Sequence, residues 1–265
     1  MSNKFTKAEA DAILAGLRNK TITPQHMTKS GELLAARPLE VIVSSEHTVP
    51  TIVKMAREAI KLGCSPDDYV HRFSHTPLIA EIDNIVYGEH NTKVLELLMK
   101  HHTKGHDSDY FILKHSSATM RTFEVVINSG RIDVEASKFN RNILYDLAKD
   151  ETSAEIIDFL FEKVPNITPN TLDNKGNSPL AVAIKQKAVG NINNTQKVVE
   201  ALLKNENTKI IGPLDNQMIK TIIDLEIIDR YNGDFLNDFP DAIGIIASMG
   251  KTHLLPENVV EMFIF

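Results

Sequence analysis

Clusters of apolar residues three and four positions apart run through the middle of the chain. Ile52, Met55, Ala56, Ala59 and Ile60 fall on one side of a helix, as do Val94, Leu95, Leu97 and Leu98. The same spacing recurs at Phe123, Val126 and Ile127, at Ile156, Ile157, Leu160 and Phe161, and at Val198, Val199, Leu202 and Leu203. Ahead of each cluster stands a shorter apolar segment that reads as a helix start: Pro38-Leu39-Glu40-Val41-Ile42, Thr76-Pro77-Leu78-Ile79, Phe111-Ile112-Leu113, Ile143 to Ala148, and Ser178-Pro179-Leu180. The pattern therefore predicts five helix pairs. With Leu39, Leu78, Ile112, Leu144 and Leu180 as equivalents, the steps are 39, 34, 32 and 36 residues, a repeat period with insertions and deletions.

The fullest unit runs Asp173-Asn174-Lys175-Gly176-Asn177-Ser178-Pro179-Leu180-Ala181-Val182-Ala183-Ile184. Gly176 suits a tight turn that needs positive φ. Ser178 is placed to cap a helix, and Pro179 occupies the first helical position, where its missing N-H is no loss. Leu180 and Ile184 share a face, and Ala183 is small enough to let a neighbouring helix approach. Upstream, Thr168-Pro169-Asn170 supplies a turn that closes the preceding helix, and Leu62-Gly63-Cys64-Ser65-Pro66-Asp67 reads as another helix-end turn.

In these motifs the chain resembles the ankyrin-repeat family, with divergent repeats. The resemblance implies an all-α fold, an ankyrin-like α-solenoid of about five helix-pair repeats with helical caps. It departs from the family where Glu81 stands in place of a small Ala, and where the third and fourth repeats lack the Thr-Pro start. Two stretches, around Asn84 to Thr92 and around Gln186 to Thr195, are longer than the family norm and read as extended helix ends or loops.

The two ends have a different texture. Thr6-Lys7-Ala8-Glu9 reads as a capping box that opens a helix with Ala10, Ile13, Leu14 and Leu17 on one face, and Thr23-Pro24 starts a second helix carrying Leu33 and Leu34. Met218, Ile219, Ile222, Ile223 and Ile227 form an amphipathic helix near the other end. The expected organisation is a helical cap over 1–37, repeats over 38–211 and a second cap over 212–265, in one continuous body. The apolar Phe263-Ile264-Phe265 has two readings: packing on the last repeat, or a linear motif or secretion signal such as bacterial effectors with divergent ankyrin repeats carry.

The 265 residues suffice for a sizeable core, and the net charge of -6 disfavours a phosphate backbone as the main ligand, so no nucleic-acid partner is expected. Cys64 is the single cysteine and reads as a small buried residue, so no intramolecular disulfide supports the fold. There is no signal-peptide core near the N-terminus, and no apolar run approaches the roughly 20 residues of a membrane span. A soluble, cytoplasmic protein is expected, or one secreted into a host cell if the effector resemblance holds.

Two clusters invite chemistry. Seven of the ten histidines lie between His71 and His115, and His102 and His106 stand four apart, a spacing that can bind zinc. Lys104-Gly105 interrupts the helix between them, and they read as surface histidines. Asp229, Asp234, Asp238 and Asp241 surround Tyr231-Asn232-Gly233, but the glycine is at the fifth position and no terminal Glu follows, so the calcium-loop pattern fails. No nucleophile elbow, phosphate-cradling loop or HExxH helix is present. No cofactor or metal site is assigned, and no catalytic residue. An enzyme or metal-dependent regulator using the His-rich second repeat or the acidic C-terminal segment is the alternative reading.

The ankyrin resemblance implies that a protein partner binds on the concave face formed by loop tips and first helices. Arg72, Phe73 and His75, then Tyr110, then Phe139 and Arg141, then Asn174 and Lys175 stand just before helix starts. Lys114, Tyr145 and Lys185 are read as exposed positions on the first helices. Tyr, Phe and Arg are the types enriched at interface hot spots. The expected function is a non-catalytic protein-protein interaction module, an adaptor or bacterial effector.

Overall fold

In the computed structural model, residues 5–25, 28–30, 34–68, 76–88, 92–138, 140–150, 153–189 and 195–260 are described. Among the described residues the fold is all-α apart from one short two-stranded ribbon. Contacts divide the chain into two compact units, Met1–Ala136 and Ser137–Phe265. That boundary falls inside the stretch read from the sequence as repeats.

The first unit opens with α1 (Lys7–Arg18), whose capping box is formed: Thr6 Oγ1 accepts from Glu9 N, and Glu9 Oε2 accepts from Thr6 N at 2.7 Å. The ribbon follows, with β1 (Thr28–Ser30) antiparallel to β2 (Leu34–Ala36). This corrects the second cap helix expected to carry Leu34, while Leu33 lies outside the described residues. The reason is local. Pro38 begins α2 (Pro38–Val43) and disfavours helical backbone at Arg37, which is extended at φ -77 and ψ 155, so no helix runs through Arg37 into α2.

Helix pairs then succeed one another: α2 with α3 (Val49–Lys61), α4 (Pro77–Val86) with α5 (Thr92–His101), and α6 (Asp109–Ser116) with α7 (Met120–Asn128). Helices α2, α4 and α6 contact one another in sequence, as do α3, α5 and α7, so the pairs stack in two rows. The core lies between the rows, on the stripes that the apolar spacing marks. Ile52, Ala56, Val94, Leu95, Leu98, Phe123 and Val126 are all fully buried.

In the second unit α8 (Ile143–Leu147) pairs with α9 (Ala154–Lys163), and α10 (Pro179–Ala188) with α11 (Thr195–Leu203). Again α8 contacts α10, and α9 contacts α11. On the far side of α10 lies α12 (Asn216–Asp224). Smaller helices follow near the C-terminus, α13 (Phe235–Asp238), α14 (Ala242–Ser248) and α15 (Glu257–Val260), and of these α12 meets α14. Phe263-Ile264-Phe265 lies outside the described residues.

Leu39, Leu78, Leu144 and Leu180 are each the second residue of their helix, and Ile112 is the fourth of α6; none is more than 1% exposed. Thr76 and Ser178 cap α4 and α10 in the same way, each side-chain oxygen accepting at 3.3 Å from the N-H three residues on. Glu81 is fully buried on α4, and Asn84 Nδ2 donates both to its Oε2 and to Val43 O.

Candidate functional site

His102 follows the end of α5 and is only 1% exposed, which corrects its reading as a surface histidine. Its Nδ1 lies 2.5 Å from Asp67 Oδ1 and its Nε2 lies 2.8 Å from Asp109 Oδ1. With a carboxylate at each nitrogen the ring is a doubly protonated imidazolium. Burial alone would lower its pKa, but the two carboxylates outweigh that and raise it to about 9. Burial opposes ionisation of Asp67 as well, yet His102 and the N-H of Thr103 hold its pKa below the usual 3.8. Asp109 collects the remaining donors through Oδ2, from Gly105 N at 3.0 Å and Asp133 N at 2.6 Å. His106 turns aside to Ser108, with Nδ1 at 2.8 Å from Oγ.

This centre knits three successive turns of the first unit. Both His102 nitrogens are engaged, so neither offers a lone pair to a metal. Among the described residues no group of three or more His, Cys, Asp or Glu side chains is placed to hold a metal ion. The sequence signal for the His102 pairing is faint: Asp67 precedes His102 by 35 residues. Cys64, in the same turn as Asp67, is buried, which pushes its thiol up to about 12.

The second unit holds most of the described candidate binding residues. Asp173, at the turn before α10, is a hub: its carboxylate accepts from Tyr145 Oη at 2.6 Å, Lys175 N at 2.8 Å and Asn177 N at 2.9 Å. Burial works against its ionisation, but these donors prevail and hold its carboxyl at about 2. Tyr145 is 6% exposed and therefore does not stand on the open face expected of it. Its hydroxyl is drawn inward to Asp173, and burial followed by that carboxylate raises its pKa to about 12. What the ring offers outward is a seat for cations, Arg141 at 5.1 Å and Lys149 at 4.4 Å from the centroid.

Around that hub, Asn174 and Lys175 are exposed, and Asn140 Nδ2 donates to Asn174 Oδ1 at 3.2 Å, joining successive turns. Arg141 is half-buried, and Lys185 is exposed on α10. In the first unit Lys114 is exposed on α6, whereas Tyr110, expected ahead of the helix, is its second residue and only 5% exposed. Asp109, the first residue of α6, turns its carboxylate to His102, and Tyr110 follows it within the helix. Arg72, Phe73, His75 and Phe139 lie outside the described residues.

A surface groove of about 550 Å³ lies between α5 and α7. Met99 and Val125 line it, with Glu96 and Glu124 near mid-helix, Lys100 near the end of α5 and Arg131 just beyond α7. Nothing in the sequence marks these residues, because their charges merely flank the apolar stripes.

The acidic C-terminal segment is internally employed. Asp234 caps α13, Asp238 accepts from Tyr231 Oη at 2.9 Å, and Asp229 lies 3.7 Å from Arg230. Tyr231 packs edge on against both Phe235 and Phe239, which are tilted against each other, with centroids 5.3 to 5.7 Å apart. No helix among the described residues is long and apolar enough to cross a membrane. Comparison with known proteins gives no family model that matches this sequence and no matching curated protein.

Proposed function

We propose that the protein is a non-catalytic protein-binding scaffold of divergent ankyrin-like repeats, which holds a protein partner against its turns and first helices. The observation that carries this reading is the recurrence of one buried aliphatic residue near the start of each first helix, at Leu39, Leu78, Ile112, Leu144 and Leu180. A frame fixed by its buried stripe leaves outward side chains free to vary for recognition. In the second unit Asn174, Lys175 and Lys185 are exposed and Arg141 is half-buried. The burial of Tyr110 and Tyr145 removes them from the contact set and leaves them as supports. Delivery of the protein into a host cell belongs to the same reading and rests on the effector resemblance alone.

The test is comparative crosslinking and capture with the full-length protein, a Lys175→Glu, Lys185→Glu variant, and a control reversed at the exposed Lys54 of α3. A specific partner lost by the first variant and kept by the control is expected. Equal loss or equal retention in both would move recognition off this face.

A further inference from the structure

The sequence contains one Asn-Gly pair, Asn232-Gly233, and it lies in the bend between α12 and α13. Both residues are exposed. The backbone N-H of Asn232 is occupied, donating to Ile210 O at 3.2 Å, and Tyr231 is bridged to Ile210. Among the described residues, neither the Asn232 side-chain amide nor the Gly233 N-H has a hydrogen-bond partner. An electrophilic amide carbon and the one nucleophile able to close a five-membered ring on it thus stand side by side in solvent. Glycine adds no side chain to hinder that approach.

We propose that Asn232 is a site of spontaneous covalent conversion, with water as co-reactant and no enzyme required. The Gly233 nitrogen, after giving its proton to solvent base, attacks Asn232 Cγ. The N–Cγ bond forms, the Cγ–Nδ2 bond breaks, and ammonia leaves with a proton from solvent, giving a succinimide. Water then adds at one of two ring carbonyls. Attack at Cγ breaks the new N–Cγ bond and yields Asp with the ordinary backbone. Attack at the backbone carbonyl breaks the original peptide bond and yields isoaspartate, whose backbone runs through Cβ and Cγ.

The consequences follow from the neighbours. Either product adds a carboxylate to a segment that already carries Asp229, Asp234 and Asp238. Isoaspartate also lengthens the backbone just ahead of Asp234, which caps α13 by accepting from Asn237 N at 3.4 Å. Conversion therefore acts on the link between the segment after α11 and the aromatic cluster of Tyr231, Phe235 and Phe239.

The experiment is incubation of the full-length folded protein at mildly alkaline pH and physiological temperature, followed by peptide mapping with fragmentation that separates Asp from isoAsp. A synthetic peptide of residues 228–238 and an Asn232→Gln variant run alongside. Conversion at Asn232 is expected to be an order of magnitude faster than at Asn128, which is exposed but followed by Ser129. The variant is expected to lack the new acidic species on isoelectric focusing. If the peptide converts while the folded protein does so no faster at Asn232 than at Asn128, the fold protects the site and the proposal fails. Identical acidic species in the variant would overturn it equally.

Discussion

His102 and Asp109, seven residues apart, face each other at 2.8 Å with neither side chain exposed to solvent. The pair would be costly on its own, since burying charge loses more hydration than an imperfect partner returns. Here Asp67 takes the second ring nitrogen, and backbone N-H groups take the remaining carboxylate oxygens. The outcome is a satisfied ionic centre that fixes the turns around α5 and α6 in one register.

Truncating His102 to Ala leaves two carboxylates buried without their cation. A destabilisation of about 3–5 kcal/mol is expected, the range for removing one partner of a buried pair. Chemical denaturation of the full-length protein measures it. A loss below about 1 kcal/mol, the level of an exposed ion pair, would mean that the centre is hydrated.

The same centre sets a pH profile. His102 is raised from 6.5 to about 9 in the folded protein, so its stabilisation is complete below pH 6.5 and lost as pH rises through about 9. The corresponding magnitude is about 3 kcal/mol. Asp67 is shifted the other way, so its contribution is present above 3.8 and lost as pH falls through its lower folded value. Stability is therefore expected to peak between these limits and to decline toward pH 9. In a His102→Gln variant the alkaline decline should flatten, and an unchanged profile would assign it elsewhere.

Ser178 and Thr76 occupy matching caps but carry different burdens. Thr76 Oγ1 accepts from Ile79 N, whereas Ser178 Oγ also donates to Lys209 O at 2.8 Å and accepts from Ile211 N at 3.0 Å. Thr76→Ala is expected to cost about 1 kcal/mol, the typical loss of a cap. Ser178→Ala should cost about 2–3 kcal/mol, because it orphans groups that the segment after α11 relies upon. Thermal melts of the two variants, compared with the native protein, give the order.

These caps were legible in the sequence because a helix start is written locally, in Thr-Pro-Leu and Ser-Pro-Leu. The apolar stripes were legible for the same reason, through their spacing. Partners 28 to 35 residues away were not. Nothing near His102 announces Asp67, and a cluster of histidines looks alike whether it is solvated or held between carboxylates. The sequence of α8 alone does not show that Asp173, 28 residues on, draws the Tyr145 hydroxyl inward. The ribbon of Thr28–Ser30 with Leu34–Ala36 was hidden because two leucines in a short segment carry no period.

Tyr145→Phe removes one donor from Asp173 while keeping the ring that seats Arg141 and Lys149. Hydrogen bonds to charged groups contribute about 1.5–3 kcal/mol, and a loss in that range is expected. Because Asp173 is held at about 2, its contribution is present above 3.8 and lost as pH falls through about 2. In the variant the carboxyl should titrate closer to its ordinary value, which carboxyl-resolved NMR titration reads directly. An unmoved Asp173 would show that Lys175 and Asn177 suffice to hold it.

Gly176 and Gly212 separate backbone strain from steric conflict. Gly176 has φ of +78, and a Cβ there would meet nothing within 4 Å. Its replacement by Ala should cost about 1–2 kcal/mol, the penalty of left-handed backbone for an L-residue. Gly212 has φ of +142, and a Cβ would stand 2.8 Å from Asn177 Oδ1, 3.1 Å from Asn177 Cα and 3.3 Å from Gly176 O. The conflict is partly with backbone, so it cannot be relieved by turning a side chain, and it falls on the turn that Asp173 organises. Gly212→Ala should therefore cost about 3 kcal/mol or more, above the range for strain at one residue. It should also loosen the Asn174 and Lys175 turn, which hydrogen exchange at Lys175 and Asn177 would report. Equal losses for the two variants would show that the backbone at residue 212 can withdraw from the turn without consequence.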